Sequence, residues 1–185
     1  MYSKNEIEKL VADVIRDNEP FLNEYELQFA LAMAIKDDKI DDKDLKVKIE
    51  QNVYPDVEQE NCRCDIVVEN NNEKVYIELK YVFTFGKQSD KTSESARNSF
   101  ISDIKRLKAL DNDIESYCIF VTNKTAVYNN ENNSCYFNTK YAKESDWKSE
   151  KFITPKGWND NHACNDEPIT YYRVVEPKDE ELSTC

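Results

Sequence analysis

The chain has 185 residues, enough for one compact domain with its own core and too few for two of ordinary size. Its formal net charge of −12 argues against a protein that binds nucleic acid through a generally basic surface, so any such contact needs a local concentration of cations. No apolar run reaches the length of a membrane helix, and the N-terminus MYSKNEIEKL is charged and unlike a secretory signal, so we expect a cytoplasmic protein with no membrane partner.

Two amphipathic helices are predicted at the start of the chain. Apolar residues at helical spacing indicate a first helix over residues 3–18. Pro20 suits the first turn of a second helix with Asn18 as its N-cap, and the apolar pattern carries that helix to about Lys36. The charged run DDKIDDKD at 37–44 then predicts a surface loop.

Strand patterns and one further helix follow. LKVKIEQNV (45–53) alternates apolar and charged residues, as a half-buried strand does, and RCDIVVENNNEKVYIELKYV (63–82) predicts a hairpin around an asparagine turn. The polar stretch KQSDKTSES (87–95) predicts a loop, and RNSFISDIKRLKAL (97–110) predicts a helix. YCIFVT (117–122) is almost wholly apolar, which is typical of a strand buried on both faces.

The last third of the chain is predicted to be rich in strands. Residues 125–137 indicate a second hairpin and residues 169–176 a late strand. The element order predicts an α/β fold with a mixed sheet in a single domain over 1–176. In that domain, residues 1–18 are the N-terminal helix, residues 20–122 the core and residues 123–176 a β-rich extension. Residues 177–185 are an acidic tail beyond the domain.

The six cysteines do not follow the spacing of a zinc site. Cys62 and Cys64 in CRC are one residue closer than in a C-x-x-C knuckle, and His162 is the only histidine in the sequence. His162 and Cys164 could ligate a metal, but in a chain without a secretory signal we favour free thiols.

The predicted hairpin brings two carboxyl groups together. With Asn71 and Asn72 as its two-residue loop, Asp65 faces Glu78. Facing side chains have Cβ atoms about 4.5–5.5 Å apart, and like charges at that distance destabilise a sheet. A divalent cation would compensate them, because carboxylate oxygens are ligands that Mg²⁺ prefers. Lys80 lies on the same strand face as Glu78 and can reach whatever the ion binds.

This group of residues predicts metal-assisted hydrolysis of a phosphodiester, in which the ion activates water and a lysine stabilises the developing charge. The simpler alternative is that Glu78 and Lys80 line a solvated sheet face. Acidic-x-Lys patterns recur in a chain in which 34% of the residues are charged. Only Glu78-Leu79-Lys80 is embedded in an apolar strand with a facing carboxylate.

Six segments in order resemble the PD-(D/E)XK nucleases, the restriction-endonuclease-like superfamily. They are the helix FLNEYELQFALAMAIK, the strands LKVKIEQ, RCDIVV and KVYIELKY, the helix FISDIKRLKAL and the strand YCIFVT. The resemblance covers roughly residues 20–122. It implies a restriction-endonuclease-like fold, with a mixed central β-sheet flanked by α-helices. It also implies that Asp65, Glu78 and the Leu79 carbonyl bind the metal, and that Lys80 is the catalytic lysine.

The preceding helix often adds a catalytic glutamate in this family, and here we select Glu26, with Glu24 as the second choice. Glu26 also fits a capping box with Asn23, which would make it structural. Glu50 is a candidate outer ligand. The family's proline before the first aspartate is Cys64 here. A literal Pro-Asp occurs at 55–56, but it lies in a predicted loop and does not face Glu78, so Asp65 is preferred.

Basic residues near the hairpin and on the third predicted helix are expected to contact phosphates, which fix position without reading sequence. The candidates are Arg63, Lys87, Lys91, Arg97, Lys105 and Arg106, whereas Lys108 fits a solvated helix flank better.

The resemblance therefore implies a Mg²⁺-dependent endodeoxyribonuclease of restriction or defence type, with Mn²⁺ as a substitute ion. Its partner would be double-stranded DNA, whose two-fold symmetry favours a homodimer. The sequence does not show a methyltransferase partner. Two alternatives stay open, namely a repair or junction nuclease of the same fold, and an acidic non-catalytic binding protein such as an immunity protein or nucleic-acid mimic, for which the charge of −12 is the functional surface.

Overall fold

The structure is a computed structural model that describes residues 2–54, 63–71, 73–83, 90–110, 114–123, 146–153 and 169–179. In these ranges the chain forms three helices, six strands and a short 3-10 helix at Pro177–Asp179. In chain order the helices and strands are α1 (Lys4–Arg16), α2 (Glu24–Asp38), β1 (Lys46–Gln51), β2 (Cys64–Asn70), β3 (Glu73–Val82), α3 (Asp90–Lys108), β4 (Glu115–Thr122), β5 (Lys148–Lys151) and β6 (Ile169–Val175).

The strands form one mixed sheet in the order β1-β2-β3-β4-β6-β5. β3 and β4 are parallel and are connected through α3, and the other neighbours are antiparallel. A parallel pair needs such a crossover connection, because a tight turn can join only antiparallel strands. The predicted α/β class with a mixed sheet flanked by helices is confirmed.

The register of the β2–β3 hairpin is confirmed. Ile66 faces Ile77, and the pairing continues to Asn70 opposite Glu73. Asn71 follows β2 with φ of 42°, a left-handed conformation that asparagine tolerates better than most residues. The same register places Asp65 opposite Glu78, one position beyond the last paired residues.

The two faces of the sheet are covered by different helices. One core combines α1 and α2 with side chains that include Ile77 and Leu79 of β3. The other combines α3 with side chains that include Tyr76 and Val82. Because side chains alternate along a strand, Glu78 and Lys80 point to the α3 face, where Glu78 is only 3% exposed.

The start of α2 differs from the prediction. The helix begins at Glu24, and the side chain of Asn23 accepts the backbone N–H of Glu26 at 3.0 Å, as an N-cap does. Asn18 instead donates its side-chain amide to the carbonyl of Val14 at 2.8 Å, at the C-terminal end of α1. The prediction that Asn18 caps α2 and that Pro20 lies in its first turn was wrong.

Other helices and strands also differ from their predicted bounds. α3 begins at Asp90, so most of the loop predicted over 87–95 is helical. The late strand is confirmed as β6, whereas β5 was not predicted. The hairpin predicted over 125–137 lies outside the described residues. In the part of the chain that the structure describes, no helix is long and apolar enough to cross a membrane.

Candidate active site

Near the start of β2, two carboxylate side chains accept backbone N–H groups of β3. The carboxylate of Asp65 accepts the backbone N–H of Leu79 at 2.6 Å. That of Glu24, in the first turn of α2, accepts the backbone N–H of Tyr81 at 2.8 Å. Backbone N–H groups need such partners where a ladder ends. Two carboxylates from separate elements are thereby fixed against β3.

Asp65 and Glu78 form the centre of the site. Their carboxyl groups face each other in the hairpin register and are close enough to interact directly. Burial, together with the negative charge of Glu78, raises the pKa of the Asp65 carboxyl to about 9, although the N–H of Leu79 acts in the opposite direction. At neutral pH, and without a cation, the pair therefore holds a proton, because two buried carboxylates in contact do not both ionise.

Lys80 is a charged group in the same site. Its ammonium lies 3.1 Å from the carboxylate of Glu24. Burial lowers the pKa of Lys80, but the negative charges of Glu24, Asp103 and Asp65 outweigh that effect, so its pKa is raised overall. Lys80 is thus a proton-bearing donor at neutral pH, suited to binding an anionic oxygen.

Glu78 has further partners on the α3 side. The hydroxyl of Tyr54 donates to its Oε1 atom at 2.5 Å, and Nη2 of Arg106 lies 3.3 Å from the same atom. Arg106 also contacts Asp103 at 2.5 Å. Burial, followed by the charge of Glu78, raises the pKa of Asp103 to about 7, against the effects of Arg106 and Lys80.

The balance of charge in the site suits a divalent cation. The cluster holds two more carboxyl groups than cationic side chains; its members are Glu24, Asp65, Glu78, Asp103, Lys80 and Arg106. Among the described residues, no group of three or more histidine, cysteine, aspartate or glutamate side chains is arranged to hold a metal. Mg²⁺ commonly takes only one or two carboxylates and keeps several waters, so Asp65 and Glu78 fit it as a donor set.

The structure brings Glu24, and not Glu26, to Lys80. The carboxylate of Glu26 accepts the backbone N–H of Leu22 at 2.8 Å, and its own N–H is bound by Asn23. Glu26 thus has a structural role at the start of the helix, although its carboxylate binds the N–H of Leu22 and not that of Asn23, as a capping box requires. Glu24, the second choice from sequence, contacts the lysine.

Glu50 is linked to the site through Gln28. Its Oε1 atom accepts the side-chain amide of Gln28 at 3.1 Å, and the same amide nitrogen donates to the carbonyl of Asp65 at 2.6 Å. Glu50 has φ of 54°, a left-handed conformation that is costly for a residue with a Cβ. Such strain is found where surrounding contacts hold a residue in place.

Three polar residues of the site were missed from the sequence, namely Gln28, Tyr54 and Asp103. Gln28 and Asp103 are buried on the inner faces of their helices. Asp103 shares helical spacing with the buried residues Phe100, Ile104 and Leu107, and a carboxylate on an apolar face was the available signal.

The residues predicted to contact phosphates differ in how far their side chains are exposed. Arg63 and Lys105 are exposed. Arg97 is 3% exposed, so its guanidinium is not at the surface, which corrects that prediction. Arg106 is half-buried and bound to Glu78 and Asp103. The side chains of Lys87 and Lys91, and the alternative Asp56, lie outside the described residues.

Replacing Glu24 with Gln is expected to lower the pKa of Lys80, because it removes the largest interaction that favours the charged ammonium. A heteronuclear NMR titration of the lysine Nζ would measure this. Glu26→Gln is the matched control in the same helical turn and should leave the pKa of Lys80 unchanged. Equal shifts in the two variants would contradict the assigned contact.

Three comparisons with known proteins gave no match. No family model, no curated protein and no solved structure matches the chain. Function therefore has to be argued from the chemistry of the site itself.

Proposed function

We propose that the chain is a Mg²⁺-dependent endodeoxyribonuclease of the PD-(D/E)XK type, with a restriction-endonuclease-like fold and a restriction or defence role. The observation that carries this proposal is the contact between the Asp65 and Glu78 carboxyl groups, with Lys80 on the same face of β3. Two acids in contact beside a core destabilise a sheet, so their placement there favours a role in binding a cation.

The ion would be held by the carboxylates of Asp65 and Glu78 and by the Leu79 carbonyl, with water in its other positions. When bound, Mg²⁺ lowers the pKa of a ligated water and neutralises charge on the phosphate. The protein contributes a fixed ligand pair, because the N–H of Leu79 orients Asp65 and the hydroxyl of Tyr54 orients Glu78.

Lys80 would bind a non-bridging phosphate oxygen or the attacking hydroxide. Its proton is retained at neutral pH, and its position is fixed by Glu24 before substrate arrives. A preorganised cation stabilises the negative charge that grows in the transition state without reorganisation at the moment of reaction.

Double-stranded DNA is the proposed substrate, and the exposed cations Arg63 and Lys105 support it by offering phosphate contacts. The net charge of −12 opposes non-specific binding, so productive association would depend on these local cations and on the bound ion. A homodimer would place two such sites on the two strands.

Incubation of the purified chain with supercoiled plasmid tests the proposal. We expect conversion to open-circular and linear DNA with Mg²⁺ or Mn²⁺, none in excess EDTA, and recovery when Mg²⁺ is restored. Glu78→Gln should be inactive, since it removes one carboxylate ligand. Single-stranded DNA, branched DNA and RNA in parallel distinguish a repair or junction nuclease. Absence of cleavage on every substrate, or cleavage that survives EDTA, would contradict the proposal.

The low sequence pI of about 4.7 favours a second candidate, an acidic binding protein that mimics nucleic acid. This candidate requires no ion at Asp65 and Glu78. A titration with Mn²⁺, monitored by the decrease of the free-ion signal in electron paramagnetic resonance, separates the two candidates. Only the nuclease should bind the ion at Asp65 and Glu78.

A further inference from the structure

Glu78 lies between two groups of partners. On one side its carboxyl group interacts with that of Asp65, which faces it across the hairpin. On the other, its Oε1 atom receives the hydroxyl of Tyr54 at 2.5 Å and lies 3.3 Å from Nη2 of Arg106. A carboxylate that has interaction partners on both sides is arranged like one that bridges two cations. Here one of those cations is already part of the chain.

Several contacts hold Arg106 in this position. Its Nη2 atom bonds to Asp103 of the preceding turn at 2.5 Å, and its guanidinium lies 5.5 Å from the centre of the Tyr54 ring. The side chain is 28% exposed, and its Nε atom is buried without a hydrogen-bond partner in the described part of the chain. Arg106 is therefore held by charge-assisted hydrogen bonds from Nη2 to Asp103 and Glu78, although its Nε is left unbonded among the described residues at a cost in free energy.

From this geometry we infer that Arg106 takes the place of a second divalent ion at Glu78, so that the site binds a single Mg²⁺ between Asp65 and Glu78. The inference rests on the proposed function and sets the number of ions it uses. Sites with two ions hold them about 3.5–4 Å apart on shared carboxylates. Nη2 of Arg106 lies 3.3 Å from Oε1 of Glu78, so a positive charge already lies beside the carboxylate that a second ion would share, and it repels another cation there.

Asp103 and Tyr54 are positioning residues in this arrangement. Asp103 fixes Arg106 from the same helix, and Tyr54 fixes the oxygen of Glu78 that Arg106 binds. Removing the guanidinium takes away the cation that contacts both Glu78 and Asp103. Oxygen donors of this kind would then recruit the ion that Arg106 excludes.

The test is an Mn²⁺ titration of the purified full chain without DNA, in which electron paramagnetic resonance measures the number of bound ions per chain. We expect the wild type to bind one ion per chain and Arg106→Gln to bind two. Arg106→Lys, which keeps a cation at this position, should bind one. Lys108→Gln is the matched control, because it removes one positive charge from the same helix at an exposed position, and it should also bind one.

The outcomes are distinct. A wild type that binds two ions overturns the role of Arg106 and leaves the proposed nuclease intact, whereas a wild type that binds none contradicts the metal site of the proposed function. A folded Arg106→Gln variant that still binds one ion with unchanged affinity also overturns the inference. Circular dichroism establishes whether that variant folds, and if it does not, the counts for the wild type and Arg106→Lys decide the question.

Discussion

Replacement of Lys80 by Met is expected to slow Mg²⁺-dependent cleavage by about 10²–10⁴-fold, the range for the loss of one positioned charge or proton donor. Met keeps most of the length and the apolar stem but removes the ammonium that Glu24 holds at 3.1 Å. The DNA affinity should stay within about threefold, because an interaction made mainly in the transition state affects kcat and not binding. Single-turnover cleavage and a binding isotherm measured in Ca²⁺ separate the two effects.

Lys74→Met is the matched control on the same strand. Lys74 is exposed and lies 3.6 Å from Glu69, away from the carboxyl pair. Its replacement should leave the cleavage rate within about twofold, as surface ion pairs contribute little. A Lys80→Met variant as active as the wild type, or equal losses in the two variants, would remove the lysine from the mechanism.

Asp65→Asn is expected to stabilise the metal-free protein by about 1 kcal/mol near pH 8, although it should abolish cleavage. The pKa of Asp65 is raised on folding, so the folded state binds more protons than the unfolded state between pH ~4 and about 9. The stability of the wild type therefore falls as pH rises through that window. Asparagine keeps the shape and an acceptor for Leu79, carries no charge and lacks this dependence.

Denaturant unfolding at several pH values in EDTA measures the effect. The matched control is Glu69→Gln on the same strand, because the hydrogen bond from Lys48 lowers the pKa of Glu69. Its contribution is present above the unfolded pKa and lost as pH falls, so Glu69→Gln should destabilise the protein near pH 8. Asp65→Asn variants that are destabilised across the whole pH range would contradict the shared-proton description.

Added Mg²⁺ should reverse the order of stability between wild type and Asp65→Asn. An ion that binds only the folded state stabilises it by RT ln(1 + [L]/Kd), about 1.4 kcal/mol when its concentration is tenfold above Kd. Asp65→Asn loses a charged ligand and should gain much less. Thermal unfolding with and without the ion gives this comparison without any nuclease activity.

The centre of the site was predictable because it depends on local geometry. A two-residue turn fixes a hairpin's register, and the register alone places Asp65 opposite Glu78. The choice between Glu24 and Glu26 was not predictable in the same way. It depends on where α2 starts, and moving the N-cap to Asn23 brings Glu24 to Lys80 while Glu26 binds the preceding backbone.

The contribution of α3 was misjudged for a different reason. Positive side chains in sequence indicate solvent or phosphate, but two arginines of this helix lie inward, with Arg97 buried and Arg106 bound to acids. The partner of Arg106 on β3, Glu78, lies 28 residues away in the sequence. A single-sequence pattern does not specify such contacts, because tertiary packing decides whether a charge is solvated or paired.

The connection through α3 also has a consequence for the order of folding. The β2–β3 hairpin closes through a short turn, whereas the parallel β3–β4 pair has to wait for the whole crossover, and local contacts form faster than distant ones. We expect the two acids to meet first in water, where their repulsion is weak. Dehydration of the pair then comes late, when α3 docks, so that proton or cation uptake belongs to the final stage of assembly.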